Sequence, residues 1–251
     1  MSSVIEILRQ AIFPNRCSVC GEVVAFDEEL CPLCTDGLPV IKPPLCLKCG
    51  CEKSNCVCKN HKQNIEYKAV IAPFYYENQI KVGVLNFKMH EFKNLYKSYG
   101  KFIADKVLEY YSLVDFDCVT FIPMMKSDEI NREFNQSELL AKTVSTYTGI
   151  EFSKCLIKKR KTKTQKKQSA KERFANMYNA FDLYKNADVT GKTVLLIDDV
   201  KTTGATLSSA ALTLKAYGAK AVYCAVFAIV KNNKKRSTQT STSLNGAPDR
   251  N

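Results

Sequence analysis

The stretch Val194-Leu195-Leu196-Ile197-Asp198-Asp199-Val200-Lys201-Thr202-Thr203-Gly204-Ala205-Thr206 decides how the rest of the chain is read. Its opening apolar residues predict a buried strand over 193–197 that runs out onto two adjacent carboxylates. A Thr-Thr-Gly-Ala-Thr turn then opens an apolar-periodic segment, which predicts a helix over 205–217. In an α/β sheet, the junction outside the carboxyl end of a parallel strand is where ligands bind. Gly204 permits close backbone approach, and the N–H groups at the helix start, from Ala205 on, can cradle one phosphate. Thr202, Thr203 and Thr206 add hydroxyl donors. Two carboxylates beside a phosphate cradle make chemical sense as acceptors for sugar hydroxyls, whereas a simple helix cap would leave the acid pair incidental. No Gly-Lys-Ser/Thr follows, which excludes a P-loop. A phosphoaspartate hydrolase would want its acids two apart.

Working outward, the same texture extends over most of the chain. Residues 68–76, 118–123 and 221–229 read as further strands, and 95–112 and 136–148 as helices. Strands alternating with helices of this length predict an α/β fold, a mostly parallel sheet with helices on both faces. Residues 3–12 carry Val4, Ile5, Leu8 and Ile12 at helical spacing and predict a short amphipathic helix that needs a docking surface. After Val230 the sequence is polar and predicts a disordered tail. The expected organisation is a helix over 1–13, a cysteine-rich module over 14–61, an α/β domain over 62–230 and a tail over 231–251.

Composition sets the outer limits. The chain has 251 residues, 45% hydrophobic and 25% charged, which excludes global disorder. The longest apolar run, Ala221 to Val230, is half of what a membrane helix needs, so no membrane insertion is expected. The start, MSSVIEILRQ, has no basic stretch ahead of an apolar region, so no signal peptide is read and a cytoplasmic location is expected. The net charge of +12 is concentrated: residues 157–173 carry nine Lys or Arg against a single acid. Such a segment calls for an anionic partner, phosphate or nucleic acid.

Nine of the twelve cysteines lie between Cys17 and Cys58, and without a secretion signal that density points to metal rather than disulfides. Cys17-x-x-Cys20 and Cys31-x-x-Cys34 form two knuckles whose thiolates complete a tetrahedron around zinc. Cys46-x-x-Cys49 with Cys56-x-Cys58 can form a second site, with Cys51 and His61 as further candidates, and pairing across the two sets is also open. One or two structural zinc ions are expected, with no free coordination position for chemistry. Stripping them is expected to unfold residues 14–61 and spare the sheet. Cys118, Cys155 and Cys224 read as buried small hydrophobes.

Taken together, these stretches resemble known proteins. The Asp-Asp-Val-x-Thr-Thr-Gly-Ala-Thr loop resembles the phosphoribosyl pyrophosphate (PRPP) signature of type I phosphoribosyltransferases. With the cysteine module, residues 1–230 resemble the ComF/ComFC competence-protein family. Supporting segments are Tyr75, Ile80, Leu85 and Lys88; Arg132-Glu133-Phe134-Asn135-Gln136 with Leu139-Leu140-Ala141; and Arg160, Thr162, Gln165, Arg173, Asn176 and Ala180-Phe181. Two departures stand out: Met124-Met125 where the family has a proline-bearing pair, and Glu133 where it has Gly.

The resemblance implies a type I phosphoribosyltransferase-like fold behind a zinc ribbon, and a role in handling single-stranded DNA during natural transformation. It implies that Asp198 and Asp199 hold the ribose 2′ and 3′ hydroxyls. The 5′-phosphate then falls to Thr202–Thr206, with Lys88 a further PRPP-binding candidate and magnesium accompanying PRPP. Lys126, Arg132 and Arg160 are the candidates for stabilising a leaving pyrophosphate. Lys158, Lys159, Lys161, Lys163, Lys166 and Lys167 are the candidates for tracking a single-stranded phosphate backbone. A DNA-uptake helicase or membrane-channel proteins are the further partners the family would suggest. Two rival functions follow from the same residues: an active phosphoribosyltransferase of nucleotide or amine metabolism, and a PRPP-sensing regulator. Asn135-Gln136 reads equally as a helix cap and as part of the site.

Overall fold

A computed structural model of the chain describes residues 14–25, 28–56, 58, 65–88, 94–125, 134–159 and 180–231. In chain order the elements are helix α1 (Pro32–Gly37), strands β1 (Val70–Ile71) and β2 (Phe74–Tyr75), helices α2 (Asn78–Phe87) and α3 (Leu95–Tyr110), strand β3 (Cys118–Phe121) and helix α4 (Gln136–Thr148). Strands β4 (Leu156–Lys158), β5 (Phe181–Leu183) and β6 (Thr193–Lys201), helix α5 (Ala205–Ala216) and strand β7 (Ala221–Ile229) follow. The expected helix over 3–12, the tail from 232 and most of the basic segment lie outside the described residues.

The main sheet is parallel throughout. β6 pairs with β3 on one side and β7 on the other, and β1 and β2 both pair with β7. β4 and β5 form a separate antiparallel pair. Because side chains alternate along a strand, the apolar run of β6 divides between two cores. Leu195 and Ile197 join Val119, Phe121 and Phe227 beneath α2, α3 and α4. Val194 and Leu196 join Cys118, Cys224 and Val226 beneath α5. On the first face Tyr99 stacks on Phe227 with ring centroids 3.7 Å apart. An α/β fold, a parallel main sheet with helices on both faces, is therefore the architecture, preceded by a cysteine-rich segment.

The cysteine-rich segment straddles the sheet. Cys17, Cys20, Cys31 and Cys34 are buried in the first core, and Cys49 and Cys51 in the second. The chain crosses between them along the β2 edge, where Tyr75 N–H donates to the Pro39 carbonyl (2.8 Å) and Ile41 N–H to that of Pro73 (2.9 Å).

Several boundaries differ from expectation for identifiable reasons. The strand read over 68–76 is two short strands, broken at Ala72-Pro73, because proline has no N–H for the ladder. The strand read over 193–197 runs on to Lys201: Asp198, Val200 and Lys201 stay in register with Val226, Ala228 and Ile229. The strand read over 118–123 ends at Phe121, and the helices read to 112 and 217 end at Tyr110 and Ala216. Cys118, Cys155 and Cys224 are buried as expected, and the Cys155 thiol donates to the Ser153 carbonyl at 3.6 Å.

Candidate functional site

The acid pair stands near the end of the central strand, just past the last pairing with β3 at Ile197, where the backbone is held by β7 on one side. Asp198 Oδ1 accepts from Ser137 Oγ at 2.8 Å and from the Asp199 N–H at 2.9 Å. Asp199 Oδ1 accepts from the Val200 N–H at 2.7 Å, and Lys88 Nζ, just beyond the end of α2, lies 3.1 Å from Asp199 Oδ2. Three helices thus converge here: α5 continues from the loop, α4 supplies Ser137 and α2 delivers Lys88. Loss of hydration in the cleft, reinforced by the adjacent Asp199 charge, pushes the Asp198 carboxyl up to about 7, against the pull of Ser137 and Lys88.

Ser137 reaches Asp198 because α4 starts in a defined way. Asn135 accepts the Ser137 N–H (3.0 Å), a cap, and its Nδ2 donates to the Ile122 carbonyl at the end of β3 (3.3 Å). The capping reading of Asn135 is realised. Its neighbour Gln136 is 3% exposed, and its Nε2 has no hydrogen-bond partner among the described residues.

After β6 the chain turns through Thr202, Thr203 and Gly204 into α5. Gly204 has φ +83°, and a Cβ there would lie 3.0 Å from Lys201 Cε and 3.1 Å from the Tyr67 hydroxyl. The left-handed backbone favours glycine here, and a larger residue would also have to displace those two side chains by a few tenths of an ångström. Thr202, Thr203 and Thr206 are exposed, and Thr203 Oγ1 accepts the Ala205 N–H at 3.3 Å. Three exposed threonine hydroxyls and the start of a twelve-residue helix thus follow the two carboxylates within eight residues of chain. That arrangement can take an anionic group at the helix start and hydroxyls at the acids.

The thiols form two sets of four. The sulfurs of Cys17, Cys20, Cys31 and Cys34 lie within 4.8 Å of one another, and so do those of Cys46, Cys49, Cys56 and Cys58. The sets do not mix, and Cys51 belongs to neither group of four, although its thiol interacts with that of Cys49 in the second. Burial alone would push Cys17 up, but the backbone N–H groups of Cys20, Cys31 and Val19 bring it down to about 7. Cys46 is likewise brought down to about 7, by the N–H groups of Cys49 and Lys48 and the Cys56 thiol against the effect of burial. Four soft donors at this spacing, with N–H groups stabilising the thiolate form, fit zinc at both places.

Other expected residues fall less conveniently. Lys158 ends β4, and Lys159 lies 3.2 Å from Asp182 in an ion pair. Lys126, Arg132, Arg160, Lys161, Lys163, Lys166, Lys167 and His61 lie outside the described residues. Sequence reasoning missed Ser137, Tyr67 and Lys201. Ser137 sat directly after the quoted Asn-Gln pair, and Lys201 occupied the variable position of the loop signature. Nothing marked Tyr67.

Comparison with known proteins shows a phosphoribosyltransferase-type fold behind a zinc ribbon. Residues 8–63 match the model of a double zinc ribbon domain and residues 135–245 that of a phosphoribosyl transferase domain. The chain is 28% identical over 214 residues to the DNA utilization protein YhgH of Escherichia coli K12, covering 82% of this chain and 86% of that one. It is 28% identical over 222 residues to Competence protein ComFC of Bacillus subtilis, covering 82% and 85%. Competence protein F of Haemophilus influenzae is 33% identical over 103 residues, covering 40% and 45%.

Proposed function

This chain is a homologue of the Competence protein F, ComFC and YhgH proteins, joining a double zinc ribbon to a phosphoribosyl transferase domain, and from that premise we propose that it binds PRPP with magnesium and handles single-stranded DNA during natural transformation. The observation that carries the reading is the junction of β6 and α5, where an acid pair in the central strand is followed at once by a glycine-turned helix start. In this reading Asp198 and Asp199 accept from the ribose hydroxyls. The N–H groups and hydroxyls of Thr202, Thr203, Gly204, Ala205 and Thr206 take the 5′-phosphate. Lys88 holds Asp199 in place until the sugar arrives, and Ser137 does the same for Asp198.

Lys126, Arg132 and Arg160 are proposed to balance the pyrophosphate charge, and the lysines between 158 and 167 to follow a DNA backbone. Lys159 contributes least of these, because Asp182 already holds it. Zinc in the two thiol sets is structural. Action in the cytoplasm is part of the same proposal. Separately, no helix among the described residues is long and apolar enough to cross a membrane.

The test is a pair of titrations on the full chain, one with magnesium-PRPP and one with a labelled single-stranded oligonucleotide, together with an assay of pyrophosphate release. Binding of both ligands without release supports this reading. Release with a defined acceptor moves the protein to the active transferases, and binding of PRPP without DNA moves it to the PRPP-sensing regulators.

A further inference from the structure

The last turn of α2 is held from two sides. Asn86 Nδ2 donates to the Cys20 carbonyl at 2.8 Å, and Lys88 Nζ lies 3.1 Å from Asp199 Oδ2. Two positions along a helix are about 200° apart around its axis, so the two contacts grip opposite flanks. Among the described residues, these are the side-chain hydrogen bond and ion pair made by Val84 to Lys88. Any roll of the turn that loosens one contact therefore disturbs the other.

One turn earlier the helix rests directly on the same knuckle. A Cβ at Gly83 would overlap the Val19 carbonyl and the Tyr99 hydroxyl, which donates to that carbonyl. The missing side chain lets the α2 backbone approach Val19 and brings Asn86 within reach of Cys20. The start of α2 is tied elsewhere: Tyr76 N–H donates to the Ile229 carbonyl (2.8 Å), and Glu77 pairs with Lys231 Nζ (2.9 Å). Ile80, Val84 and Phe87 bury one face of the helix. Apolar contacts are non-directional, so they leave the roll of the final turn to the polar ones. Lys88 is itself the cap residue and Met89 follows it, so no glycine locks the end.

We propose that Asn86 is a positioning residue for the acid pair: it takes the orientation of the last turn of α2 from the Cys17–Cys20 knuckle and so holds Lys88 on Asp199. The acid pair is in this way tied to the first thiol set without touching it. The consequence for PRPP rests on the reading above; the placement of Lys88 does not.

The test uses the zinc-loaded full chain and Asn86→Ala, a change that favours the helix itself. Lys88 is acetylated with acetic anhydride in the absence of PRPP. Its rate is read by peptide mass spectrometry against that of Lys81, an exposed lysine on the same helix. Loss of the Asn86 bond is expected to speed labelling of Lys88 about threefold or more, with Lys81 unchanged. An unchanged ratio overturns the proposal. In calorimetric titration with magnesium-PRPP, Asn86→Ala is expected to weaken binding about three- to tenfold. In the Lys88→Met background the same substitution is expected to weaken it no further. Equal losses in both backgrounds would make Asn86 a residue of the fold alone and overturn its action through Lys88. If the wild type binds no PRPP, the PRPP reading fails, while the labelling still decides whether Asn86 places Lys88. Should Asn86→Ala not fold, Asn86→Leu, which fills the space of the amide, carries the same two measurements.

Discussion

Lys88 Nζ sits 3.1 Å from Asp199 Oδ2, bridging the end of α2 to the acid pair on the central strand. The contact neutralises one carboxylate and so eases ionisation of the other, which burial and its neighbour hold up at about 7. A ribose hydroxyl needs a carboxylate acceptor at Asp198, so PRPP affinity is expected to rise with pH through about 7 and level off above it. Lys88→Met removes the helpful charge and is expected to move that midpoint upward. Calorimetric titrations between pH 6 and pH 8.5, on the order of one unit either side of the carboxyl's own value, read both effects. A pH-independent affinity would remove Asp198 from the ribose contact.

The same raised carboxyl makes an unusual stability prediction. Because folding raises its pKa, the group's favourable contribution is fully present below its ordinary value of 3.8 and is lost as pH rises to about 7. Asp198→Asn avoids that loss. It is expected to be more stable than the wild type by about 1–3 kcal/mol above pH 7 and to gain little near pH 4. Urea unfolding at both pH values measures the difference; equal stability at high pH would mean that the carboxylate is well solvated.

Ser137→Ala isolates the hydrogen bond to Asp198. Losing one bond to a charged acceptor is expected to weaken PRPP binding by about 1–2 kcal/mol, with zinc content and DNA affinity unchanged. Unaltered PRPP affinity would reduce Ser137 to a helix-start residue.

Metal removal is expected to reach further than residues 14–61. Asn86 on α2 donates to the Cys20 carbonyl at 2.8 Å, and the buried Tyr99 hydroxyl on α3 donates to that of Val19. The first thiol set is therefore part of the packing over the sheet, and Cys34→Ser is expected to lower the thermal midpoint by about 10 °C or more. Unchanged near-ultraviolet dichroism of the sheet domain after chelation would restore the narrower expectation.

For DNA, replacing Lys158, Lys159, Lys161, Lys163, Lys166 and Lys167 by Ala is expected to flatten the slope of log affinity against log salt by about two to four units. PRPP binding is expected to persist. An unchanged slope would move the DNA surface away from this segment.

Much of this was legible because it rests on local patterns. Val194–Ile197 announced a strand buried on both faces, the paired cysteines announced two thiol sets, and Thr202–Thr206 announced a helix start. What stayed hidden depends on tertiary approach. The split at Ala72-Pro73 was written in one proline, yet the continuation of β6 through two charged residues depended on the register of β7. No periodicity could place Ser137 on Asp198, sixty-one positions away, or Tyr67 beside Gly204. Nor could spacing reveal that the two thiol sets lie on opposite sheet faces, since that follows from residues 39–41 running along the β2 edge.

The central claim is that the acid pair and the loop after it bind PRPP, and calorimetric titration of magnesium-PRPP into the wild type and into Asp198→Asn/Asp199→Asn tests it most directly. The account predicts one site per wild-type chain and a loss of about 1–3 kcal/mol for each charged hydrogen bond removed, with the fold intact by circular dichroism. Equal binding by both proteins, or no binding by the wild type, would contradict it.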